Sequence, residues 1–229
     1  MDNNPPEGEW LRTQELRHRL KVNPLYEEPY GTERIGRFAG RPIITRDTPI
    51  NGGVYLGSSA REAIVVDDRK YPQELNAAYT ELRRKMTEGV SRGRSVFECV
   101  YEVTKRTLDL PRRTGDVEER VDELVGSIVS QSGPDAKVTL NEFMREGIGI
   151  CRHRALLAGY LIERLVKEGV LRGKVSVDRN YLPKQGGHAW VRWEGAGGNP
   201  IIIIDSSLGY VGPIERAPRN WNYNRPANK

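Results

Sequence analysis

Cys151-Arg152-His153-Arg154-Ala155-Leu156-Leu157-Ala158-Gly159-Tyr160-Leu161-Ile162 is the stretch that decides how this chain reads. From Ala155 to Ile162 it is apolar nearly all round, and charge returns only at Glu163, Arg164, Lys167 and Glu168. A helix that is apolar on every side is surrounded by the rest of its fold. Gly169 supplies a terminator. The stretch therefore predicts a buried helix from Cys151 toward Val170 with a thiol at its N-terminal end.

Downstream, Lys174 to Asp178 alternates polar residues with Val175 and Val177, as a half-buried strand does. Two more strands are expected at Gly187 to Trp193 and Ile201 to Asp205, joined by the Gly-rich loop Glu194 to Pro200. Upstream, Gln73 to Glu88, Val96 to Leu108 and Val117 to Ile128 carry helical spacing and should pack together. Ser130 to Lys137 reads as a turn around Gly133-Pro134, and Val138 to Glu146 leads into the central helix. Short β-like runs at Pro42 to Thr45, Val54 to Leu56 and Ala63 to Val66 precede these helices. Asn51-Gly52-Gly53 offers a tight hairpin turn between the first two.

The expected class is α+β: one domain over residues 41–215, with the nucleophile end of a buried helix packed on an antiparallel sheet. Residues 1–40 are polar and broken by Pro5, Pro6, Pro24 and Pro29, and read as an extension with one short helix at Trp10 to Lys21. Residues 216–229, rich in Pro, Asn and Arg, read as a flexible tail.

Composition narrows the function classes. The 229 residues are 37% hydrophobic and 29% charged, which fits a globular chain with a large solvated surface. No apolar run approaches the roughly 20 residues of a membrane span, and Met1-Asp2-Asn3-Asn4-Pro5-Pro6 lacks the features of a secretory signal. The default compartment is the cytoplasm, with export by a non-Sec route left open. Two cysteines and three histidines argue against a disulfide framework or a zinc fold. No metal or cofactor is called for. The net charge of +5 is too small and too dispersed to name a nucleic acid as partner.

Chemistry enters with order and spacing. Cys151 opens the buried helix, His188 follows 37 residues later inside a strand, and Asp205 ends the next strand 17 residues beyond that. A thiol attacks a carbonyl carbon as thiolate, and a free cysteine, with a pKa near ~8.5, is ionised only to a few per cent at neutral pH. A helix N-terminus acts like about half a positive charge and favours the anion. A neighbouring imidazolium adds a full opposite charge and stands ready as general acid.

Strand periodicity then sets a condition. His188, Trp190 and Arg192 share one face of their strand, and Ile201, Ile203 and Asp205 share one face of theirs. If the strands are antiparallel neighbours, Asp205 can hold His188 only when paired residue numbers sum to an odd value. The natural register sums to 393, with His188 opposite Asp205, Trp190 opposite Ile203 and Arg192 opposite Ile201.

These residues resemble the transglutaminase-like superfamily of papain-like cysteine enzymes. Gly149-Ile150-Cys151-Arg152-His153-Arg154-Ala155-Leu156-Leu157 looks like its G-x-C nucleophile motif with a downstream A-x-L. Gly187-His188-Ala189-Trp190-Val191 is similar to its H-A-W strand, and Ile204-Asp205-Ser206-Ser207 stands where the family has D-P-T or a relative. Ser206-Ser207 departs from the commoner Pro-Thr, and the zinc-binding CxxC pairs of the glycan-removing branch are missing. The resemblance covers about residues 147–208. It implies a papain-like core and a Cys151-His188-Asp205 triad acting on a peptide or side-chain amide through a thioacyl intermediate. With water as acceptor the activity is that of a protease or deamidase, a thiol hydrolase. With an amine it is a transglutaminase, and an unused triad leaves a binding module. Hydrolysis is the favoured expectation, with a protein or peptide as substrate.

Several residues carry rival readings. Cys99 lies on a face with Val96, Val100 and Val103 and should be core. Arg152, His153 and Arg154 are basic in a first turn, where they oppose the helix dipole. Arg152 could depress the Cys151 pKa or bind an acidic substrate group, and the cluster could equally be solvated or ion-paired. Trp190 is expected to wall the cleft, with core filling as its rival. The basic set Arg12, Arg17, Arg19 and Lys21 reads as a solvated helix face, and Arg219, Trp221, Tyr223 and Arg225 as a loose tail. One oxyanion donor should be the Cys151 backbone N–H. The second is left open among Gln131, Asn141 and an aromatic hydroxyl or indole.

Overall fold

A computed structural model describes residue 21 and residues 23–30, 36–56, 63–90, 93–109, 116–132, 137–182 and 185–225. The expected helix at Trp10 to Lys21, the basic residues Arg12, Arg17 and Arg19, and the Gly133-Pro134 turn lie outside the described residues, save for Lys21 itself.

The centre is a four-stranded antiparallel sheet in the order β10-β9-β8-β7, built from β7 (Gly173–Leu182), β8 (Gly186–Gly195), β9 (Ile201–Asp205) and β10 (Tyr210–Pro213). Five helices are described: α1 (Pro72–Val90), α2 (Val96–Leu108), α3 (Val117–Ser132), α4 (Leu140–Glu146) and α5 (Cys151–Lys167). The class is thus α+β. A one-turn 3-10 helix (Ile214–Arg216) and two small three-stranded sheets complete the described elements. One has the order β4 (Val54–Leu56), β5 (Ala63–Val65), β6 (Lys137–Thr139), and the other joins β1 (Tyr26–Glu27), β2 (Arg37–Phe38) and β3 (Arg41–Pro42).

α5 lies against β7 and β8, and nearly every side chain from Ala155 to Ile162 is buried. Gly159 permits the close approach: a Cβ there would stand 2.7 Å from Ile50 Cδ1 and 3.1 Å from Val177 Cγ2. The helix ends as its sequence indicates, with Gly169 at φ +75° and its N–H on the Val166 carbonyl. α1 and α2 pack on each other and on α5. α2 begins with a capping box in which the Glu98 N–H donates to Ser95 Oγ and the Ser95 N–H to the Glu98 carboxylate. α3 runs four residues past its expected end and joins the core through Val121, with Leu124, Val125 and Ile128 partly buried beside it.

Four expectations give way. The runs around residues 43 and 54 do not form a hairpin: Ile43 and Val54 meet in a parallel bridge, while Val54–Leu56 pairs antiparallel with Ala63–Val65. The division at residue 40 cuts through a sheet, because Phe38 is fully buried among Ile43, Val54, Leu56, Ala63 and Val65. β7 is covered on both faces, with Ser176, Asp178 and Asn180 as buried as Val177. What covers its second face is the C-terminal segment expected to be loose. Trp221 and Tyr223 are buried on Trp190 and Ile203, because an apolar sheet face without a helix gains by acquiring any apolar cover.

Candidate active site

α5 starts where its sequence places the thiol. The N-cap is Ile150, whose side chain holds no acceptor, so no side-chain cap claims the first-turn amides ahead of Cys151. The Ile150 N–H instead donates 3.2 Å to Nδ1 of His153, a fully buried ring whose centroid lies 3.9 Å from that of Phe143 with the planes tilted by 39°. Gly149 has a steric reason to be glycine, since a Cβ would sit 3.1 Å from His153 Cβ and 3.2 Å from Leu108 Cβ.

β8 and β9 pair antiparallel with residue numbers summing to 395: Val191 with Ile204, Arg192 with Ile203, Trp193 with Ile202, Glu194 with Ile201. The sum is odd, so His188 and Asp205 do share a face. The register differs from 393 by two residues, because the Gly195 N–H closes on the Pro200 carbonyl at 2.9 Å and shortens the loop to residues 195–200. Continued by one pair, this register sets Asp205 opposite Trp190, and the carboxylate reaches His188 along the diagonal.

It arrives with all its acceptor capacity in use. Asp205 Oδ2 lies 2.6 Å from His188 Nε2 and takes the Tyr223 hydroxyl at 2.9 Å. Oδ1 accepts the Ser207 and Leu208 N–H groups at 3.0 and 2.9 Å, so the Ser206-Ser207 departure still leaves a turn that grips the carboxylate. Burial works against its charge, but His188, the Leu208 amide and Tyr223 hold its pKa below the ordinary value.

Because Nε2 faces Asp205, Nδ1 is left for sulfur. The Cys151 thiol is hydrogen-bonded to His188 and to the Ala189 backbone N–H. Burial alone would raise the thiol pKa. The bond and charge of His188, with smaller help from Ala189 and Arg152, bring it below the usual thiol value. Burial likewise disfavours the imidazolium, yet Asp205 and Cys151 together push His188 up to about 9. Both directions favour a thiolate–imidazolium pair.

The three basic residues after the thiol separate. His153 serves as an acceptor. Arg154 reaches 3.3 Å to the Ser206 carbonyl and 3.4 Å to Asp109, bracing the turn after Asp205 against α5. Arg152 is half-buried, and its charge acts on Cys151. Trp190 does not wall a cleft: it is 2% exposed, set edge-on to Tyr223 at 5.3 Å beneath the C-terminal segment. Neither amide side chain considered as second oxyanion donor points toward the sulfur. Asn141 donates to the Tyr71 carbonyl and Glu74, and Gln131 to Ser127. Among the described residues no group of three or more His, Cys, Asp or Glu side chains is placed to hold a metal, and no helix is long and apolar enough to cross a membrane.

Sequence reasoning missed the roles of Tyr223 and Arg225, whereas the ion-paired reading of the basic cluster covers Arg154 on Asp109. Trp221-Asn222-Tyr223-Asn224-Arg225 alternates large with polar, so its odd-numbered side chains fall on one side of an extended segment. That period was the available signal.

Comparison with known protein families, curated proteins and solved structures finds no match for this chain.

Proposed function

We propose that this protein is a cysteine-dependent acyl-transfer enzyme with a papain-like, transglutaminase-like core, hydrolysing a peptide or side-chain amide bond. The observation that carries the reading is the chain of contacts from Cys151 through His188 to Asp205 at the N-terminus of a buried helix, with the acid fixed at 2.6 Å from the ring. Such a chain is what a nucleophile, its general acid and an orienting carboxylate require.

In the first half-reaction the Cys151 thiolate attacks the amide carbonyl carbon. The His188 Nδ1 proton passes to the departing nitrogen, the C–N bond breaks, and a thioester and a free amine result. In the second, His188, now neutral, takes a proton from water as the oxygen attacks the thioester. The C–S bond breaks, an acid is released, and the thiolate–imidazolium pair is restored. Asp205 keeps the ring in one tautomer throughout. The Cys151 N–H and its first-turn neighbours face the developing oxyanion. A protein or peptide is the substrate class this chemistry serves.

The test is incubation of wild type and Cys151→Ala with a proteome, followed by mass spectrometry. New termini, or glutamine converted to glutamate, appearing only with wild type are the expected result. Isopeptide cross-links in their place would assign an amine acceptor, and no difference between the two proteins would remove the enzyme reading.

A further inference from the structure

The segment after β10 closes over the face of the sheet that holds the acid of the triad. Residues 217–225 cross β8 and β7, and two fixings hold them down. The Asn180 side-chain amide donates to the Asn222 carbonyl at 2.7 Å. The Arg225 guanidinium donates through Nε to Asp178 Oδ2 at 2.7 Å, through Nη2 to Asp178 Oδ1 at 2.8 Å and Ser176 Oγ at 2.7 Å, and through Nη1 to Glu194 Oε1 at 2.8 Å. A forked guanidinium on a buried carboxylate fixes direction as well as distance. Between these fixings the Tyr223 hydroxyl meets Asp205 Oδ2, the oxygen that also takes His188, and its ring sits edge-on to Trp190 and stacks 6.3 Å from Tyr210.

The strand register gives this contact a task. A directly opposed pair would place the carboxylate and the ring side by side, but Asp205 stands opposite Trp190 and must lean along the longer diagonal to His188. Two backbone amides hold Oδ1 and leave Oδ2 to be aimed. The Tyr223 O–H is the one further donor that the described residues bring to Oδ2.

We infer that residues 217–225 form a strap in which Tyr223 is a positioning residue, aiming Asp205 at His188, and Arg225 is the latch that holds Tyr223 in place. The inference rests on the acyl-transfer reading of the same site. The groups facing the His188 ring are Asp205 from β9, Cys151 from α5, and the Trp190 and Trp221 rings. Tyr223 acts through Asp205, Tyr210 of β10 faces Tyr223, and Arg152 acts through Cys151.

The test uses full-length protein and reads the pair without a substrate. Iodoacetamide modification of Cys151 is followed against pH, with peptide mass spectrometry separating it from Cys99, and the downfield proton resonance of the His188 ring is recorded. In wild type the alkaline change falls near pH 9, where His188 loses its proton. Tyr223→Phe, still folded by circular dichroism, should move that change to lower pH and broaden the resonance. Arg225→Met should do the same, and the double variant should go no further than the larger single one. Should Arg225→Met fail to fold, Arg225→Lys keeps the charge without the fork and should give an intermediate displacement. An alkaline change that stays put or rises in Tyr223→Phe overturns the positioning role, and additive displacements overturn the latch. A wild-type Cys151 that reacts at pH 6 no faster than an ordinary thiol would instead end the acyl-transfer reading, a result visible before any variant is made.

Discussion

Cys99 and Cys151 are the same chemical group in two places on the same core, and the fold treats them oppositely. Cys99 lies inside α2 at the end of its first turn, 1% exposed, with its N–H on the Ser95 carbonyl and Sγ donating 3.6 Å to the Lys85 carbonyl. Burial, together with the Glu102 charge, pushes its pKa up. Cys151 begins a helix instead of sitting along one. It meets the Ala189 N–H and a ring whose pKa Asp205 helps to raise, and its own pKa falls although burial acts on it too. Burial alone therefore does not decide a thiol's state. What decides it is which charges and donors face the sulfur: His188 and the Ala189 N–H at Cys151, against Glu102 and the Lys85 carbonyl at Cys99, where Arg94 and Lys85 offset burial only in part.

The contrast can be broken by exchanging the two positions for alanine. On the proposed acyl-transfer reading, Cys151→Ala should cut turnover by about 10⁴-fold or more, the scale seen when a catalytic nucleophile is removed. Cys99→Ala should leave turnover within about twofold and lower stability by about 1 kcal/mol, the scale of one buried methyl-sized group. Loss of activity from Cys99→Ala, measured on folded protein, would end the distinction.

Next in size is Asp205→Asn. The Asn oxygen can serve either the amides of Ser207 and Leu208 or the His188 and Tyr223 donors, while its NH₂ must face whichever pair of donors remains. A turnover loss between about 10²- and 10⁴-fold is expected, and the alkaline limb of the activity profile should drop from about pH 9 toward neutrality. The sign for stability follows. The folded-state pKa of His188 is raised, so its contribution to wild-type stability is complete below pH 6.5 and is lost as pH climbs through about 9. Melting curves between those limits should show that loss in wild type and a smaller one in Asp205→Asn.

Gly149→Ala tests the setting of the nucleophile. The new methyl meets two Cβ atoms that cannot swing away, so a loss of about 1–3 kcal/mol is expected by thermal unfolding. The smallest effect belongs to Arg152→Ala, which should raise the Cys151 pKa slightly in an alkylation titration. An unchanged value would remove Arg152 from the electrostatics.

The periodicity of the sequence reached a definite depth. The α5 start at Cys151 and the β9 span follow from local pattern, because a helix or strand must satisfy its own spacing before it packs, while the odd sum that puts His188 and Asp205 on one face follows from requiring the carboxylate to hold the ring. The exact register did not follow, since it depends on how six loop residues close between Gly195 and Pro200. Trp190 was misread as cleft wall because the tail's cover is a long-range event: burial of Ser176, Asp178 and Trp190 depends on chain some 30 to 50 residues away. The split among Arg152, His153 and Arg154 was equally invisible, since it depends on Phe143, Asp109 and Ser206 rather than on neighbours in the chain.

The central sheet runs β10-β9-β8-β7, each strand beside its neighbour in the chain. The imidazole and its carboxylate are therefore united by closing the single turn between β8 and β9 and not by a search across the molecule, which keeps the loop-entropy cost small and favours rapid assembly. During refolding, amide protons of the β8–β9 ladder should gain protection from exchange early, with the docking of α5 and the arrival of the thiol following as a later, slower event.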